Sequence, residues 1–444
     1  MILPLATRLD GARRREAARY AAWSEALARL RAGARAGNLP APDRLREYVH
    51  DLPEDQRGDA LLDLVAEHLR WTWEAGDGVT LEAYGSVLAG CALPSVFGDV
   101  PADLVEDELL ARSRPPHGDL PGPEEYARRY PGREDVRVRL AARFLGDGRW
   151  VRLSRLGAGA MGEVWEACDR RAQRRVAVKL ARPERAADPE ILVRFRREVE
   201  VTVGLDHPGI ACAREVGIGD GGLPFCAMPL AEGRPLAALA AQLHGGLLDA
   251  SAADRRRLER RALAAFVSAC AAVAHAHARR VTHGDLKPGN IIVDERGAAV
   301  VIDWALSECV GRPTGAWLAG TPEYMAPEQV DGMRDARSDV FGLGAVLFEL
   351  LTGRPPHCWR DGVRPTDWRA IVRAADLPSV RRVAPGAPSA LDALCRRALT
   401  RDPAERPPDA GALAEEVVAY LAGGESWTAG VTRWLAGLRQ AGKR

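Results

Sequence analysis

The sequence predicts an α+β protein, in which an α-helical module precedes a domain with a small antiparallel β-rich lobe and an α-helical lobe. Apolar residues recur at helical spacing before residue 148, short β-like runs begin near residue 150, and long helical patterns dominate after about residue 253. We expect a helical module at 1–148, a second domain at 149–422 and an amphipathic tail at 423–444.

The composition excludes several function classes. The chain has 444 residues with 62 Lys and Arg against 61 Asp and Glu, so its formal net charge of +1 gives no strong attraction to nucleic acid or membranes. Its 8 cysteines form no C-x-x-C pair, which argues against a zinc site or a disulfide framework. We find no apolar stretch of the roughly 20 residues that a membrane span needs. A cytoplasmic protein with reduced thiols is expected.

The helical module shows an amphipathic pattern and a weak internal similarity. Residues 11–37 carry apolar side chains at helical spacing. Further on, Leu64-Val65, Leu69 and Glu82-Ala83-Tyr84 resemble Leu104-Val105, Leu109 and Glu124-Glu125-Tyr126. A duplication and a chance similarity are both open. A partner protein bound to this module is one expectation.

The β-rich segment opens with a glycine-rich run that reads G-x-G-x-x-G-x-V. Glycines let backbone amides approach phosphate oxygens closely. Strand residues follow the run and no helix opens at its third glycine, so a strand-loop-strand phosphate cover fits better than a dinucleotide fingerprint. A simple Gly-rich hairpin is the alternative. The run comprises Gly157, Ala158, Gly159, Ala160, Met161, Gly162, Glu163 and Val164.

A lysine and a glutamate downstream are a candidate ion pair. The strand pattern at 176–180 places Lys179 on the same face as Ala177, where a small side chain leaves room. In the next helical pattern, Glu198 lies on an otherwise apolar stripe with Ile191 and Phe195. A buried carboxylate needs a partner, and Lys179 is the candidate. A solvated lysine is the alternative.

The sequence HGDLKPGN at 283–290 precedes a predicted hairpin, Ile291–Asp294 with Ala299–Asp303, that turns at Arg296-Gly297. An acid, a cation and an amide on one loop can accept a hydroxyl proton, neutralise a phosphate and bind a metal. Asp303 ends the second strand, so its carboxylate can reach the same site. A polar hairpin without chemistry is the alternative.

These motifs resemble, in their order and spacing, the eukaryotic-like (Hanks-type) protein kinase family, and bacterial Ser/Thr members are the most similar. The resemblance covers residues 150–422 and implies a bilobal kinase fold. The helical segment before it resembles the leaders of planctomycete-like members. Three further motifs extend the match: Gly320–Glu328 (GTPEYMAPE), Ser338–Gly344 (SDVFGLG) and Asp402–Pro407 (DPAERP).

The resemblance implies ATP and Mg²⁺ as cofactors, with Mn²⁺ as an alternative cation, and Ser or Thr residues of proteins as substrates. It implies Asp285 as the base, Lys287 on the γ-phosphate and Lys179 on the α- and β-phosphates, held by Glu198. Asn290 and Asp303 would bind the metal. The nucleotide would contact the glycine-rich run, Val164, Ala177, the gatekeeper Met228, Leu230 and Ala231.

The resemblance also implies supporting contacts. Thr321 would bridge Asp285 and Lys287, and Glu328 would pair with Arg406. Asp339 would cap the backbone of the catalytic loop, and His283 would serve in packing.

Three departures from the family pattern stand out. Gly284 replaces the usual arginine, Trp304-Ala305 replaces Phe-Gly, and Pro229 removes one backbone donor. Since none of these changes deletes a catalytic group, a kinase is favoured. The rival hypothesis is a nucleotide-binding pseudokinase scaffold.

The ends of the chain give two further expectations. Apolar residues at helical spacing in the tail, such as Trp427, Val431 and Trp434, would lie on a membrane surface, contact a partner or dock on the chain's own domain, and the last is simplest. The composition change near residue 150 predicts a separate core there, so that removing residues 1–145 leaves a folded domain.

Overall fold

The computed structural model describes residues 24–89, 100–114, 119–159, 162–182, 193, 196, 199–202, 204–219, 222–245, 251–304, 308–309, 320–359 and 362–423. These residues divide into two units. The first contains the described residues up to Leu180 together with Ile218–Leu223, and the second contains Ala181–Gly217 and the described residues from Pro224 onward.

Helices form the first part of the first unit. Helix α1 spans residues 24–35, and Gly37 follows with a φ of 73°, a left-handed value that suits glycine. Helix α2 ends in the same way at Gly76, with a φ of 89°. The other helices are α3 (Gly85–Leu88), α4 (Ala102–Arg112), α5 (Pro123–Arg129) and α6 (Glu134–Ala141), and α2 itself spans Glu54–Ala75.

The two similar segments occupy comparable surroundings. Helices α2 and α4 pack together, and their matching apolar residues, such as Leu64 and Leu104, are buried. Tyr84 and Tyr126, the matching tyrosines, are also buried. The duplication itself stays a prediction.

Four strands complete the first unit: β1 (Phe144–Leu145), β2 (Trp150–Ala158), β3 (Gly162–Asp169) and β4 (Arg174–Ala181). They are neighbours in this order, and β2 pairs antiparallel with both β1 and β3. Gly146, Asp147 and Gly148 turn the chain from β1 into β2 with φ values of 55°, 53° and 75°. The antiparallel strands predicted from residue 150 onward are confirmed.

The core of the first unit continues from its helices into its strands. Phe144, Val151, Leu153 and Cys168 belong to the same buried cluster as the apolar faces of α2, α4 and α6. These residues therefore do not form a separate core after residue 150. The boundary at 148/149 stays a prediction.

Short strands and loops begin the second unit. Strand β5 (Glu215–Ile218) neighbours β6 (Pro224–Pro229). A separate three-stranded sheet has the order β10 (Ala299–Val301), β9 (Ile291–Val293) and β7 (Arg234–Pro235). The predicted hairpin is confirmed, with Ala299 opposite Val293 and Gly297 in the turn at a φ of 88°. The remaining strands are β8 (Val281–Thr282) and β11 (Glu308–Cys309).

Helices make up most of the second unit. The side chains of Ser251 and Asp335 cap the amino ends of α8 (Ala252–Ala278) and α9 (Ala336–Thr352), because they accept hydrogen bonds from backbone N–H groups. The other helices are α7 (Leu236–Gly245), α10 (Trp368–Ala374), α11 (Val380–Val383), α12 (Ser389–Ala398) and α13 (Ala410–Ala422).

Helices α8 and α9 supply the centre of the second core. Phe266, Val273, Phe341 and Phe348 are each at most 1% exposed. Residues Ala253–Ala278 are long and apolar enough to cross a membrane by composition, but 67% of the apolar window is buried. This burial is typical of a core helix.

Candidate active site

The glycine-rich run joins the end of β2 to the start of β3. Gly157 lies opposite Val164, and the N–H of Gly159 donates to the carbonyl oxygen of Gly162 over 2.8 Å. A Cβ atom at Gly157 or Gly159 would meet no other atom within 4 Å, so packing inside the protein does not require glycine there. The space beside these glycines is open to a ligand. Ala160 and Met161 lie outside the described residues.

Lys179 lies on β4 and is 6% exposed. Its neighbours Val178 and Leu180 are buried, and Ala177, on the same face as Lys179, is also buried. A buried ammonium group needs a partner, as the sequence argument assumed. Glu198 lies outside the described residues, so the pairing of Lys179 with Glu198 stays a prediction.

The predicted gatekeeper, Met228, and the first hinge residue, Pro229, are the last two residues of β6, and the rest of the predicted hinge follows the strand. Met228 is buried, Pro229 is exposed, and Leu230 and Ala231 are half-buried. Proline has no N–H group, so one backbone donor is absent at this point. The assignment of these residues to adenine stays a prediction.

Three groups donate to the carboxylate of Asp285: the N–H of Thr321, Nζ of Lys287 and, 3.3 Å from Oδ2, Nδ2 of Asn290. The N–H of Thr321 donates to Oδ1 over 2.8 Å, and Nζ of Lys287 donates to Oδ2 over 2.8 Å. Lys287 also donates to Oγ1 of Thr321 over 2.8 Å, which confirms the predicted bridge. The Asp285 side chain is 10% exposed and Lys287 is 28% exposed. A fixed carboxylate beside a cation is suited to accept a proton near an anionic group.

Asn290 and Asp303 belong to neighbouring segments. The amide nitrogen of Asn290 donates to the carbonyl oxygen of Asp285 over 2.8 Å, which leaves its amide oxygen available to a cation. The N–H of Ile302, beside Asp303, donates to the carbonyl oxygen of Asn290 over 2.9 Å. Asp303 has a left-handed φ of 62°.

These two oxygen donors fit a magnesium ion. Mg²⁺ in nucleotide sites usually takes one or two protein oxygens and completes its shell with phosphates and water. Among the described residues, no group of three or more His, Cys, Asp or Glu side chains is placed to hold a metal. The fit therefore depends on a nucleotide that supplies the remaining ligands.

Asp339 on α9 anchors the backbone of the loop at 283–290. Its carboxylate accepts the N–H groups of His283 and Gly284 at 2.7 and 2.9 Å, which confirms the predicted cap. Nε2 of His277 on α8 lies 2.9 Å from the same carboxylate, a contact that the sequence did not predict. Burial alone would raise the pKa of Asp339, but the hydrogen bond and charge of His277 hold that pKa below its usual value.

His283 is fully buried and packs against Trp304, with ring centroids 4.7 Å apart. Its Nδ1 accepts the N–H of Asp285, so Nε2 carries the proton and donates to the carbonyl oxygen of Ile302 over 3.1 Å. Trp304 is 1% exposed and its indole N–H donates to the carbonyl oxygen of Val301. The predicted packing role of His283 agrees with these contacts, and the larger Trp304 is accommodated without an unpaired donor.

The segment after Thr321 is held by a tryptophan that sequence reasoning missed. Nε1 of Trp359 donates to Oε1 of Glu323 over 2.5 Å. Trp359 and Trp368 pack against a buried cluster that contains Met325. Trp359 is 36 residues from Glu323 in sequence, so no local pattern indicates the contact.

Farther from the loop, Arg406 pairs with Glu328 through two parallel hydrogen bonds of 2.7 and 2.9 Å. The Arg406 side chain is fully buried. The predicted structural pair is confirmed.

A family model described as "Protein kinase domain" matches residues 150–419 of the chain. The chain belongs to the protein kinase family. The kinase fold and its bacterial Ser/Thr type, both expected from the motifs, are confirmed by this match and by the relatives below.

Several bacterial kinases are similar to this kinase domain. "Serine/threonine-protein kinase PknB" of Mycolicibacterium smegmatis is 36% identical over 261 residues, which cover 56% of this chain and 39% of that protein. "Probable serine/threonine-protein kinase PknB" of Bifidobacterium longum is 30% identical over 294 residues, which cover 63% and 41% respectively. This chain thus spans about two fifths of the length of these relatives.

Among solved structures, the Mycobacterium tuberculosis PknI kinase domain is 27% identical, with a TM-score of 0.45. The alignment covers 61% of this chain and 95% of that one.

Proposed function

We propose that the chain is an ATP-dependent protein kinase that phosphorylates Ser or Thr hydroxyls of proteins. The observation that carries this proposal is the fixed carboxylate of Asp285, held by the Thr321 N–H and by Nζ of Lys287, each at 2.8 Å. The names of the bacterial relatives support the choice of Ser and Thr over Tyr.

In this reaction, Asp285 orients the substrate hydroxyl and accepts its proton as the oxygen attacks the γ-phosphorus. ADP leaves with the electrons of the broken bond. Lys287, already bonded to Asp285 and Thr321, places a positive charge beside the transferred phosphoryl group. When bound through Asn290 and Asp303, magnesium neutralises phosphate charge, and Mn²⁺ is the alternative cation.

The nucleotide contacts belong to the same proposal. Lys179, paired with Glu198, would bind the α- and β-phosphates, and the glycine-rich run would cover the phosphates through its backbone N–H groups. Val164 and Ala177 would contact the adenine ring. Met228, Leu230 and Ala231 would border the adenine edge. The burial of Lys179, Ala177 and Met228 supports these roles.

The domain assignment is also proposed. The kinase domain occupies residues 149–422, and the helical module 1–148 binds a partner protein or sets the basal rate. The tail comprises 423–444, of which residues 424–444 lie outside the described residues. We place the protein in the cytoplasm of a bacterium, where it acts in signalling.

The test is transfer of labelled phosphate from ATP to a generic basic protein, with Mg²⁺ or Mn²⁺ in separate reactions. Asp285→Asn should reduce transfer by about 10²–10⁴-fold and leave ATP affinity within about twofold. The matched control is Asp331→Asn, since Asp331 is an exposed carboxylate paired with Arg373. ATP binding without transfer by the unaltered protein would favour the pseudokinase scaffold instead.

A further inference from the structure

The helical segment contributes a strand to the sheet that carries the glycine-rich run. Phe144 and Leu145 of β1 lie opposite Val151 and Trp150 of β2. The N–H of Arg152 then donates to the carbonyl oxygen of Arg143 over 2.8 Å. Residues 143–145 precede the part of the chain that matches the kinase family, residues 150–419. The first strand of the kinase match is therefore paired with backbone from outside it.

The apolar contacts cross the same boundary. Val151 and Cys168, on β2 and β3, are fully buried in one cluster with Val105 and Leu109 of α4 and with Leu140 of α6. Such burial excludes water from both sides of the junction. The helices thus cover one face of the strands that form the glycine-rich hairpin.

Arg143 links the helices to β2 through its side chain as well. Its Nε donates to Glu106 on α4, a carboxylate that also accepts from Nε of Arg139 at 2.6 Å. Its Nη1 donates to the carbonyl oxygen of Leu153 over 3.3 Å. Its guanidinium carbon lies 5.9 Å from the ring centroid of Trp165 on β3. One arginine therefore contacts α4, β2 and β3.

A second arginine ties the other end of β3 to the helical segment. Arg170, in the turn after β3, donates to the carbonyl oxygens of Leu120 at 3.0 Å and Gly148 at 2.8 Å. These bonds span 50 and 22 residues of sequence. The strands are thus held to the helices at two separate points.

We propose that helices α4 to α6 are a fixed part of the ATP-binding lobe and that Arg143 is a positioning residue for β2, the strand that leads into the glycine-rich loop. The proposal rests on the function proposed above only where it is tested by KM for ATP, since that measurement requires phosphate transfer. The helical segment then acts on nucleotide affinity through packing and hydrogen bonds, without touching the nucleotide.

The test uses the full chain with Arg143→Ala, Arg143→Lys and the control Arg137→Ala. Arg137 lies on α6, the helix that ends just before Arg143, is 69% exposed and pairs with Glu134 of that helix, so its loss leaves β2 untouched. We expect Arg143→Ala to weaken ATP·Mg²⁺ binding and raise KM for ATP by at least about fivefold, with kcat within about twofold. Amide hydrogen exchange in residues 150–158 should accelerate in this variant. Arg143→Lys should show a smaller change in the same direction, because an ammonium group cannot contact Glu106 and Leu153 through a planar fork.

The proposal is overturned if Arg143→Ala and Arg137→Ala give the same ATP affinity and the same exchange in β2. If Arg143→Ala fails to fold while the control folds, Arg143→Lys decides by the same two measurements. Failure of the proposed function is distinguishable, because ATP binding and hydrogen exchange do not require phosphate transfer. If the unaltered chain binds no nucleotide, hydrogen exchange in β2 alone decides.

Discussion

The N–H of Thr321 donates to Oδ1 of Asp285 over 2.8 Å and joins segments 36 residues apart. Because the backbone makes this bond, the Thr321 side chain is free to accept from Lys287. The hydroxyl and the N–H therefore have separate roles.

We expect Thr321→Val to lower kcat/KM for a protein substrate by about 10–100-fold, because Lys287 loses a partner beside the base. Thr321→Ser keeps the hydroxyl and should stay within a few fold. Steady-state kinetics with ATP and a basic protein measure both. A loss in Thr321→Ser with none in Thr321→Val would show that the methyl group, and not the hydroxyl, is required.

The two candidate metal ligands should differ in what their removal does to magnesium-dependent transfer. Asp303→Ala should abolish magnesium-dependent transfer, since a water molecule lacks the negative charge with which the Asp303 carboxylate would bind the metal. Asn290→Ala should be milder and should raise the magnesium concentration needed for half-maximal rate. A magnesium titration of each variant measures this. Persistent transfer by Asp303→Ala at ordinary magnesium concentrations would assign the metal to another acid.

Loss of the contact between Trp359 and Glu323 should raise KM for the protein substrate and leave KM for ATP unchanged. Trp359→Phe removes the indole N–H and keeps an aromatic ring, so the segment after Thr321 loses one hydrogen bond. We expect KM for the protein substrate to rise about 3–10-fold with KM for ATP unchanged. Trp71→Phe, in the helical segment, is the control. A parallel rise in both KM values would contradict this role.

Acid should destabilise the chain through His357. Burial lowers the pKa of this imidazole from 6.5 to about 4. The unfolded chain therefore binds the proton more readily, and the stabilisation present above pH 6.5 is lost as the pH falls toward 4.

His357→Leu removes this titration. Between pH 7 and pH 5, we expect Tm of the unaltered chain to fall further than Tm of the variant, by about 2 °C or more. Thermal denaturation at both pH values measures the difference. Identical pH slopes would mean that His357 is not the responsible group.

Gly284 suggests that an activating phosphate is not needed. It has a φ of 80°, and its N–H and carbonyl oxygen bond to Asp339 and Gln329. Glycine places no positive charge beside Asp285, so no phosphate is required to neutralise one. Replacing both Ser307 and Thr314 with Ala should change kcat by no more than a few fold. A hundredfold drop that acidic replacements restore would contradict this.

The sequence predicted the contacts that lie within one motif. One loop carries Asp285, Lys287 and Asn290, and the hairpin that follows has a clear turn. Sequence spacing alone was therefore enough to predict that these groups lie close together. Thr321 and the Glu328–Arg406 pair required the family resemblance, because Glu328 and Arg406 are 78 residues apart.

The contacts between the helices and β2 left no readable pattern. Strand β1 has only two residues, which is too short for an alternation, and Arg143 and Glu106 are 37 residues apart. The composition change at residue 150 marks a change of secondary structure and not a boundary between cores. Apolar residues on a strand do not reveal whether a helix or another sheet covers them.

The two-residue strand β1 also determines which backbone N–H and C=O groups at the edge of the sheet can pair with other molecules. It is the outermost strand, beside the nine-residue β2. In a protein that began at residue 150, the outer backbone groups of Trp150 and Arg152, including the Arg152 N–H that donates to Arg143, would be unpaired and could template pairing with a second chain. We therefore expect such a shortened protein to form intermolecular β-aggregates, whereas the natural hairpin keeps this edge closed.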